Sequence, residues 1–354
     1  MGFGPECSHG ATGENQAWKV ALRAENHFAR GSAGCTRTMQ GRGSRARSGV
    51  RGIRKAAANR CDPSDGRRCV NYRRHFGLRE APFGITPDTG FFFSSRNVQE
   101  ALNTLVVAVA NGEGFIKITG EVGTGKTLLC RKLLASLEGS AVTAYIPNPN
   151  LQPRALYLAL AAELDLDAEQ IEPHRLDKEI MRRLLEHARH GKRVILCMDE
   201  TQAMPLETLE ALRLLTNLET EKRKLLQVVL FGQPELDRKL ASDSVRQLAQ
   251  RITFQYKMRG LDREETGQYV AHRLQVAGYS GVSPFTRDAL RRLHSASGGV
   301  PRLINILSHK AMMLVYGEGG HSIEGRHIKA AILDTPAVRG KPWWHLGLSR
   351  SAVQ

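Results

Sequence analysis

The chain has few cysteines, few aromatics and no long apolar run, and each shortage removes a class of protein. Six cysteines occur in 354 residues: Cys7, Cys35, Cys61, Cys69, Cys130 and Cys197. None forms a C-x-x-C pair, and no histidine cluster completes a zinc ligand set. Four of the six lie in the first 70 residues. Cys130 and Cys197 fall in apolar segments, where a free thiol behaves as a small hydrophobe. The pattern suits a reducing cytoplasm rather than a disulfide scaffold. No run of about 18 apolar residues is present, so no transmembrane helix is expected. The first residues lack the charged-then-apolar export pattern. No internal repeat is visible either.

Acidic excess is also missing. Lys and Arg number 51 against 35 Asp and Glu, a net charge of +16. Residues 1–70 carry 13 basic against 5 acidic side chains, a net of +8, and the other 284 residues carry the remaining +8. Such an excess permits contact with nucleic acid or anionic lipid without requiring it. Gly, Ser, Arg and Ala dominate residues 1–70, as in Gly41-Arg42-Gly43-Ser44-Arg45. No period persists there, and the segment holds too little apolar surface to offset its ordering entropy. It reads as a disordered basic leader. The change of texture at Val70 also fits a mis-assigned start, with Val70 a GTG codon read as valine.

What is present begins at about Asn71. Phe115–Thr119, Ala141–Ile146, Val194–Met198, Leu226–Phe231 and Ile252–Tyr256 read as short buried strands. Between them, Lys126–Leu137, Pro153–Leu164, Arg175–Arg189 and Leu206–Leu218 show helical spacing. Continuous apolar runs such as Val194–Met198 are those of strands covered on both faces of a parallel sheet. The alternation predicts an α/β core over residues 71–259. After Gly260 no strand pattern remains. Asp262–Ala277, Thr286–Ala296, Pro301–Tyr316 and Glu324–Leu333 predict a small all-α lid over residues 260–336. Residues 337–354 form a basic tail that contains Trp343-Trp344, read as packing residues or as an interfacial anchor.

Gly120-Glu121-Val122-Gly123-Thr124-Gly125-Lys126-Thr127 matches G-x-x-x-x-G-K-[ST], and Leu128 follows it. Glycines let successive backbone N–H groups point at one phosphate, and the next helix adds its positive end. Lys126 is placed to reach the β- and γ-phosphates, and Thr127 to ligate Mg²⁺. The string follows a predicted strand and opens a predicted helix, which is the context a phosphate loop requires. ATP and Mg²⁺ are the implied ligands.

Asp199-Glu200 ends the apolar strand Val194–Met198, about 70 residues after the loop. That arrangement suits a Mg²⁺ carboxylate, Asp199, beside a water-polarising carboxylate, Glu200. Strand ends also carry solvated acids for no chemical reason. Gln233, after Leu226–Phe231 and Gly232, is placed to orient a water, or is a turn residue beside Pro234. Arg246, Arg251 and Arg302 are candidate cations for the phosphoryl-transfer transition state.

Residues 72–335 resemble the AAA+ ATPases of bacterial envelope assembly. They are similar to the general secretion pathway protein A (ExeA-like) type, and more closely to the mannose-sensitive haemagglutinin (MSHA) pilus biogenesis type, MshM. The resemblance rests on the loop itself and on longer strings. These are His75-Phe76-Gly77-Leu78, Pro82–Asp88, Gly114–Thr127, Tyr145-Ile146-Pro147-Asn148-Pro149, Leu215–Glu221, Gln227–Leu236 and Gly299–Asn305. The resemblance implies a P-loop ATPase core with a helical lid. Lys126 and Thr127 take the Walker A roles, and Asp199 and Glu200 the Walker B roles. Gln233 becomes the sensor-1 residue, Arg302 the sensor-2 arginine, and Arg251 the finger, with Arg246 its alternative. The segment near Phe83 and Pro87 would lie by the adenine.

The resemblance further implies a homo-oligomer with ATP between subunits, acting on pilus or secretion assembly proteins at the inner membrane, from the cytoplasm or peripherally on that membrane. Larger secretion members add a transmembrane helix and a peptidoglycan-binding domain that this chain does not show, which favours the pilus type. The basic leader is foreign to the family pattern, and Thr201 replaces its usual Ala. A DNA-directed ATPase of the transposition or replication-helper type is the alternative. The modest charge of the folded part and the lack of a helix-turn-helix after the lid weigh against it.

Overall fold

The computed structural model describes residues 72–167, 171–172, 174–217, 219–220 and 223–339. The readings made for residues 1–70, Val70 and Trp343-Trp344 lie outside these residues.

Before the first strand lies a helix that the sequence reading left out, α1 (Arg96–Ala110). Its signals were present. The Ser95 hydroxyl accepts from the Val98 N–H and caps the first turn. Its buried residues Ala101, Leu105, Ala108 and Val109 follow a helical period. The β-branched run Val106-Val107 obscured that period.

The strand–helix alternation then follows expectation: β1 (Phe115–Gly120), α2 (Lys126–Leu137), β2 (Ala141–Ile146), α3 (Pro153–Glu163), α4 (Leu176–Arg189), β3 (Arg193–Met198) and α5 (Leu206–Leu215). A short antiparallel pair comes next, β4 (Glu219–Thr220) with β5 (Arg223–Lys224). Then come β6 (Leu226–Gly232), α6 (Pro234–Leu240) and β7 (Ile252–Met258). The lid helices are α7 (Arg263–Val276), α8 (Arg287–Ser297), α9 (Pro301–Gly317) and α10 (Gly325–Leu333). Helix α6, which begins with Pro at its first turn, and the β4–β5 pair were also missed.

Five strands form one parallel sheet in the order β2-β3-β6-β1-β7. Alternate residues of each strand face opposite layers. Ile195 and Cys197 of β3 join Val229 and Phe231 of β6 beneath α1 and α2. Val194, Leu196 and Met198 join Val228 and Leu230 on the other face, against α3, α4, α5 and α6. Both faces are covered, which explains the uninterrupted apolar runs. One charge interrupts β1: Lys117 is buried and its Nζ lies 2.6 Å from Asp237 Oδ1 of α6.

A separate apolar cluster holds the helical region together, and the N-terminal strap contributes to it. Phe76, Leu78, Phe83 and Phe91 pack with Leu261, Tyr269, Phe285, Ile304 and Met312. The strap is pinned there by Arg273 of α7, which is 5% exposed. Its Nε donates to the Pro82 carbonyl at 2.5 Å and Nη2 to that of Gly84 at 3.3 Å. The guanidinium also lies 4.2 Å from the Phe91 ring centre. Asn305 Nδ2 adds a second bond to the Gly84 carbonyl at 3.0 Å.

Because β1 lies between β6 and β7, the loops after β1, β6 and β3 emerge side by side at the carboxyl edge. That edge is where open α/β sheets place ligands.

Candidate functional site

The loop after β1 closes on itself through glycine geometry. Gly123 has φ +83° and Gly125, the residue before α2, has φ +97°. Both lie in the left-handed region that side chains disfavour. The Thr124 hydroxyl donates to the Glu121 carbonyl at 2.9 Å. Lys126, 5% exposed, folds back over the loop. Its Nζ donates to the carbonyls of Gly120 at 2.8 Å and Glu121 at 3.1 Å. Burial pulls this ammonium below its ordinary range, against the nearby carboxylates Glu200 and Asp199, which favour the charged form.

Thr127 and Asp199 meet directly. The Thr127 hydroxyl donates to Asp199 Oδ2 at 2.5 Å. Asp199 Oδ1 accepts the Glu200 N–H at 2.9 Å. Asp199 is 2% exposed. Its burial raises the carboxyl above the ordinary range, and the two hydrogen bonds oppose that rise.

Glu200 sits at φ +53°, a strained conformation for a residue with a side chain. Two amides converge on its Oε2: Gln202 Nε2 at 2.5 Å and Gln233 Nε2 at 3.0 Å. Gln202 Oε1 accepts the backbone N–H of Gln233 at 3.0 Å. Thr201 ties the same turn to β6, its hydroxyl donating to the Phe231 carbonyl at 2.9 Å. The sequence reading named Gln233 and missed Gln202. Nothing in the spacing marks Gln202, since one of its two partners, Gln233, lies far away in sequence, just after β6.

The lid reaches the loop. The Arg302 N–H donates to the Gly123 carbonyl at 3.3 Å. A Cβ built on Gly123 would lie 2.5 Å from Arg302 Cβ and 3.3 Å from Val300 Cγ1. Arg302 itself is exposed at the start of α9. Arg251 is elsewhere, on its own chain's surface, where its guanidinium donates to Asn217 Oδ1 and to the Arg213 carbonyl. Arg246 is exposed. The structure therefore brings Gly120–Leu128, Asp199, Glu200, Gln233 and Arg302 together and leaves both finger candidates apart from them. Phe83, expected by the base, is turned into the helical cluster, 5.9 Å ring to ring from Phe285. The Pro87 carbonyl accepts from Arg131 at 3.2 Å. Between them Ile85 stands 59% exposed.

The AAA domain family matches residues 109–240, from the end of α1 through α6. The chain is 43% identical over 279 residues to general secretion pathway protein A of Aeromonas hydrophila, across 78% of this chain. The chain contains an AAA+ domain of the general secretion pathway protein A type. It spans about half the length of that relative, 51%. Among solved structures, this AAA+ domain resembles the Aeropyrum pernix ORC2 protein in its ADP form, with a TM-score of 0.51 at 15% identity over 74% of this chain and 72% of that one. The Aeropyrum pernix ORC1 protein in complex with DNA gives 0.51 at 16%, over 72% and 69%. At such identities the likeness is one of fold alone.

The residues of this AAA+ loop fit a nucleotide with Mg²⁺. Lys126 is a buried cation whose hydrogen-bond partners are two carbonyls of its own loop, a setting that an incoming anion would complete. Thr127 Oγ1 and Asp199 Oδ2 form an adjacent pair of hard oxygen donors. Among the described residues, no group of three or more His, Cys, Asp or Glu could hold an ion unaided. Mg²⁺ needs no such cage, because it keeps waters and takes phosphate oxygens beside one or two protein ligands. Among the described residues, no helix is long and apolar enough to cross a membrane.

Proposed function

We propose that the chain hydrolyses ATP and uses the energy as an oligomeric assembly factor for a type IV pilus of the MSHA kind, or for related secretion machinery, at the inner membrane. The 2.5 Å contact between Thr127 Oγ1 and Asp199 Oδ2, beside the buried Lys126, carries this reading. Phosphoryl transfer requires a cation, a metal ligand and a water-orienting acid within one small volume, and this edge of the sheet supplies all three.

Lys126 holds the β- and γ-phosphates against the loop N–H groups. Thr127 and Asp199 would hold Mg²⁺, which would neutralise charge on the phosphate oxygens. Glu200 polarises the attacking water, and Gln233 helps to place it. Ile85, rather than Phe83, offers the apolar surface for the base. Arg302 joins the lid to the phosphate site through Gly123. Arg251, with Arg246 as its alternative, acts on the site of a neighbouring subunit. The secretion-pathway name of the Aeromonas relative supports the envelope setting. The pilus assignment rests on the sequence resemblance.

The test is Lys126→Ala, scored for nucleotide binding in vitro and for pilus or secretion-complex assembly in cells. Loss of both is expected. Normal assembly in that variant would contradict the motor role. Tight, steeply salt-dependent binding of the wild type to duplex DNA would favour a DNA-directed ATPase instead.

A further inference from the structure

Glu200 is held by two side chains, of which Gln202 has no role in the reading above. We infer that Gln202 is a positioning residue for Glu200: it fixes which carboxylate oxygen faces the attacking water and couples that choice to the end of β6. The inference rests on the proposed role of Glu200 in ATP hydrolysis.

The geometry is specific. Both amides donate to the same oxygen, Oε2, at 2.5 Å from Gln202 and 3.0 Å from Gln233. Among the described residues, Oε1 has no hydrogen-bond partner, so it is the oxygen left for water. Gln202 spends its own oxygen on the Gln233 backbone N–H at 3.0 Å. One amide thus bridges the β3 turn and the residue after β6. The three groups form a closed ring: Gln202 to Glu200, Gln233 to Glu200, and Gln233 to Gln202.

The ring is anchored at both ends. Thr201 fastens the turn to the Phe231 carbonyl. Leu236 and Thr201 crowd Gly232, where an added Cβ would meet Leu236 Cδ2 and Thr201 Oγ1 at 2.8 Å. The backbone on either side of Gln202 and Gln233 is therefore fixed, and the amides have little freedom to drift. A base held by two donors on one oxygen loses its rotation about the terminal torsion, which is otherwise broad and two-fold. Pre-orientation of this kind raises the rate of the chemical step without changing how tightly the nucleotide binds.

The experiment uses the full chain and four proteins: wild type, Gln202→Ala, Glu200→Gln and the double variant. Phosphate release gives kcat and KM, and a fluorescent ATP analogue gives affinity. Gln202→Ala should lower kcat about ten-fold and leave KM and affinity within two-fold. In the Glu200→Gln background the same change should have no further effect on kcat, because its target is gone. Equal kcat for wild type and Gln202→Ala, or an undiminished effect in the Glu200→Gln background, would overturn the inference. If Gln202→Ala folds poorly, Gln202→Glu decides. It keeps the acceptor for the Gln233 N–H and removes the donor to Glu200, so a folded protein with lowered kcat is expected, and full activity would overturn it. Should Glu200→Gln itself hydrolyse ATP like the wild type, the assignment of Glu200 fails, and this inference falls with it by a distinguishable route.

Discussion

The backbone N–H of Arg302, at the start of a lid helix, donates to the carbonyl of Gly123 in the phosphate loop at 3.3 Å. Loop and lid are thus in direct contact, with no residue between them. Gly123→Ala tests this contact. Its φ of +83° disfavours any side chain, and the new methyl would sit 2.5 Å from Arg302 Cβ. The conformation alone costs about 1–2 kcal/mol, and urea unfolding should show at least that loss. Faster amide exchange at Arg302 should accompany it.

Asp199 should destabilise the nucleotide-free and metal-free protein. The unfolded chain releases this proton near its ordinary value of 3.8, while burial raises the folded value. Between the two, the folded state keeps a proton that the unfolded state has lost, so stability falls as pH rises through that window and stays lower above it. Asp199→Asn removes the effect. Its stability relative to wild type, from urea unfolding in EDTA, should be near zero below the window and positive above it. Phosphate release by the variant should be lost. A gap that shrinks with rising pH would contradict the burial argument.

Most of the sheet was legible because the central strands β3 and β6 are largely apolar and buried on both faces and each strand is punctuated. Ala141–Ile146 and Lys126–Leu137 were read with the ends the structure gives them. Helix α1 was missed because Val106 and Val107 blur its period, although Ser95 marked its start. In the site, residues contiguous in sequence were legible: the loop Gly120–Thr127 and the pair Asp199-Glu200. What escaped depends on side chains that meet across strands or between strap and lid. Gln202 was invisible because its partner Gln233 lies 31 positions away. Arg273 was invisible because its partners are the carbonyls of Pro82 and Gly84, which leave no mark on the pattern of side chains. The segment near Phe83 and Pro87 was expected beside the base; within it, the Phe83 ring packs in the helical cluster.

Arg273 should be among the more sensitive positions in the lid. It is buried, forms no ion pair among the described residues, and spreads its fork over two carbonyls of the strap. Arg273→Lys keeps the charge and loses the planar fork and the stacking on Phe91. A loss of about 1–3 kcal/mol is expected in urea unfolding. Proteolysis should cut the strap near Ile85 faster in the variant. Unchanged stability would show that the apolar packing of the strap and the Asn305 bond to Gly84 hold it without Arg273.

Thr201→Ala, which restores the residue usual in the resembling family, separates stability from catalysis. The buried hydroxyl bond to the Phe231 carbonyl contributes about 1 kcal/mol, and its loss should lower the thermal midpoint by a few degrees. Phosphate release should stay within about two-fold, since Gln202 and Gln233 still hold Glu200. A large fall in turnover with unchanged stability would assign the hydroxyl a place in the chemistry.

The most direct measurement is single-turnover phosphate release from ATP with Mg²⁺ by the wild type and by Glu200→Gln, with nucleotide affinity measured in parallel. The wild type should release phosphate. Glu200→Gln should bind ATP with similar affinity and cleave it about 10²–10³-fold more slowly. Equal rates in the two proteins, or no nucleotide binding by the wild type, would contradict the account of this edge of the sheet as an ATP-hydrolysing site.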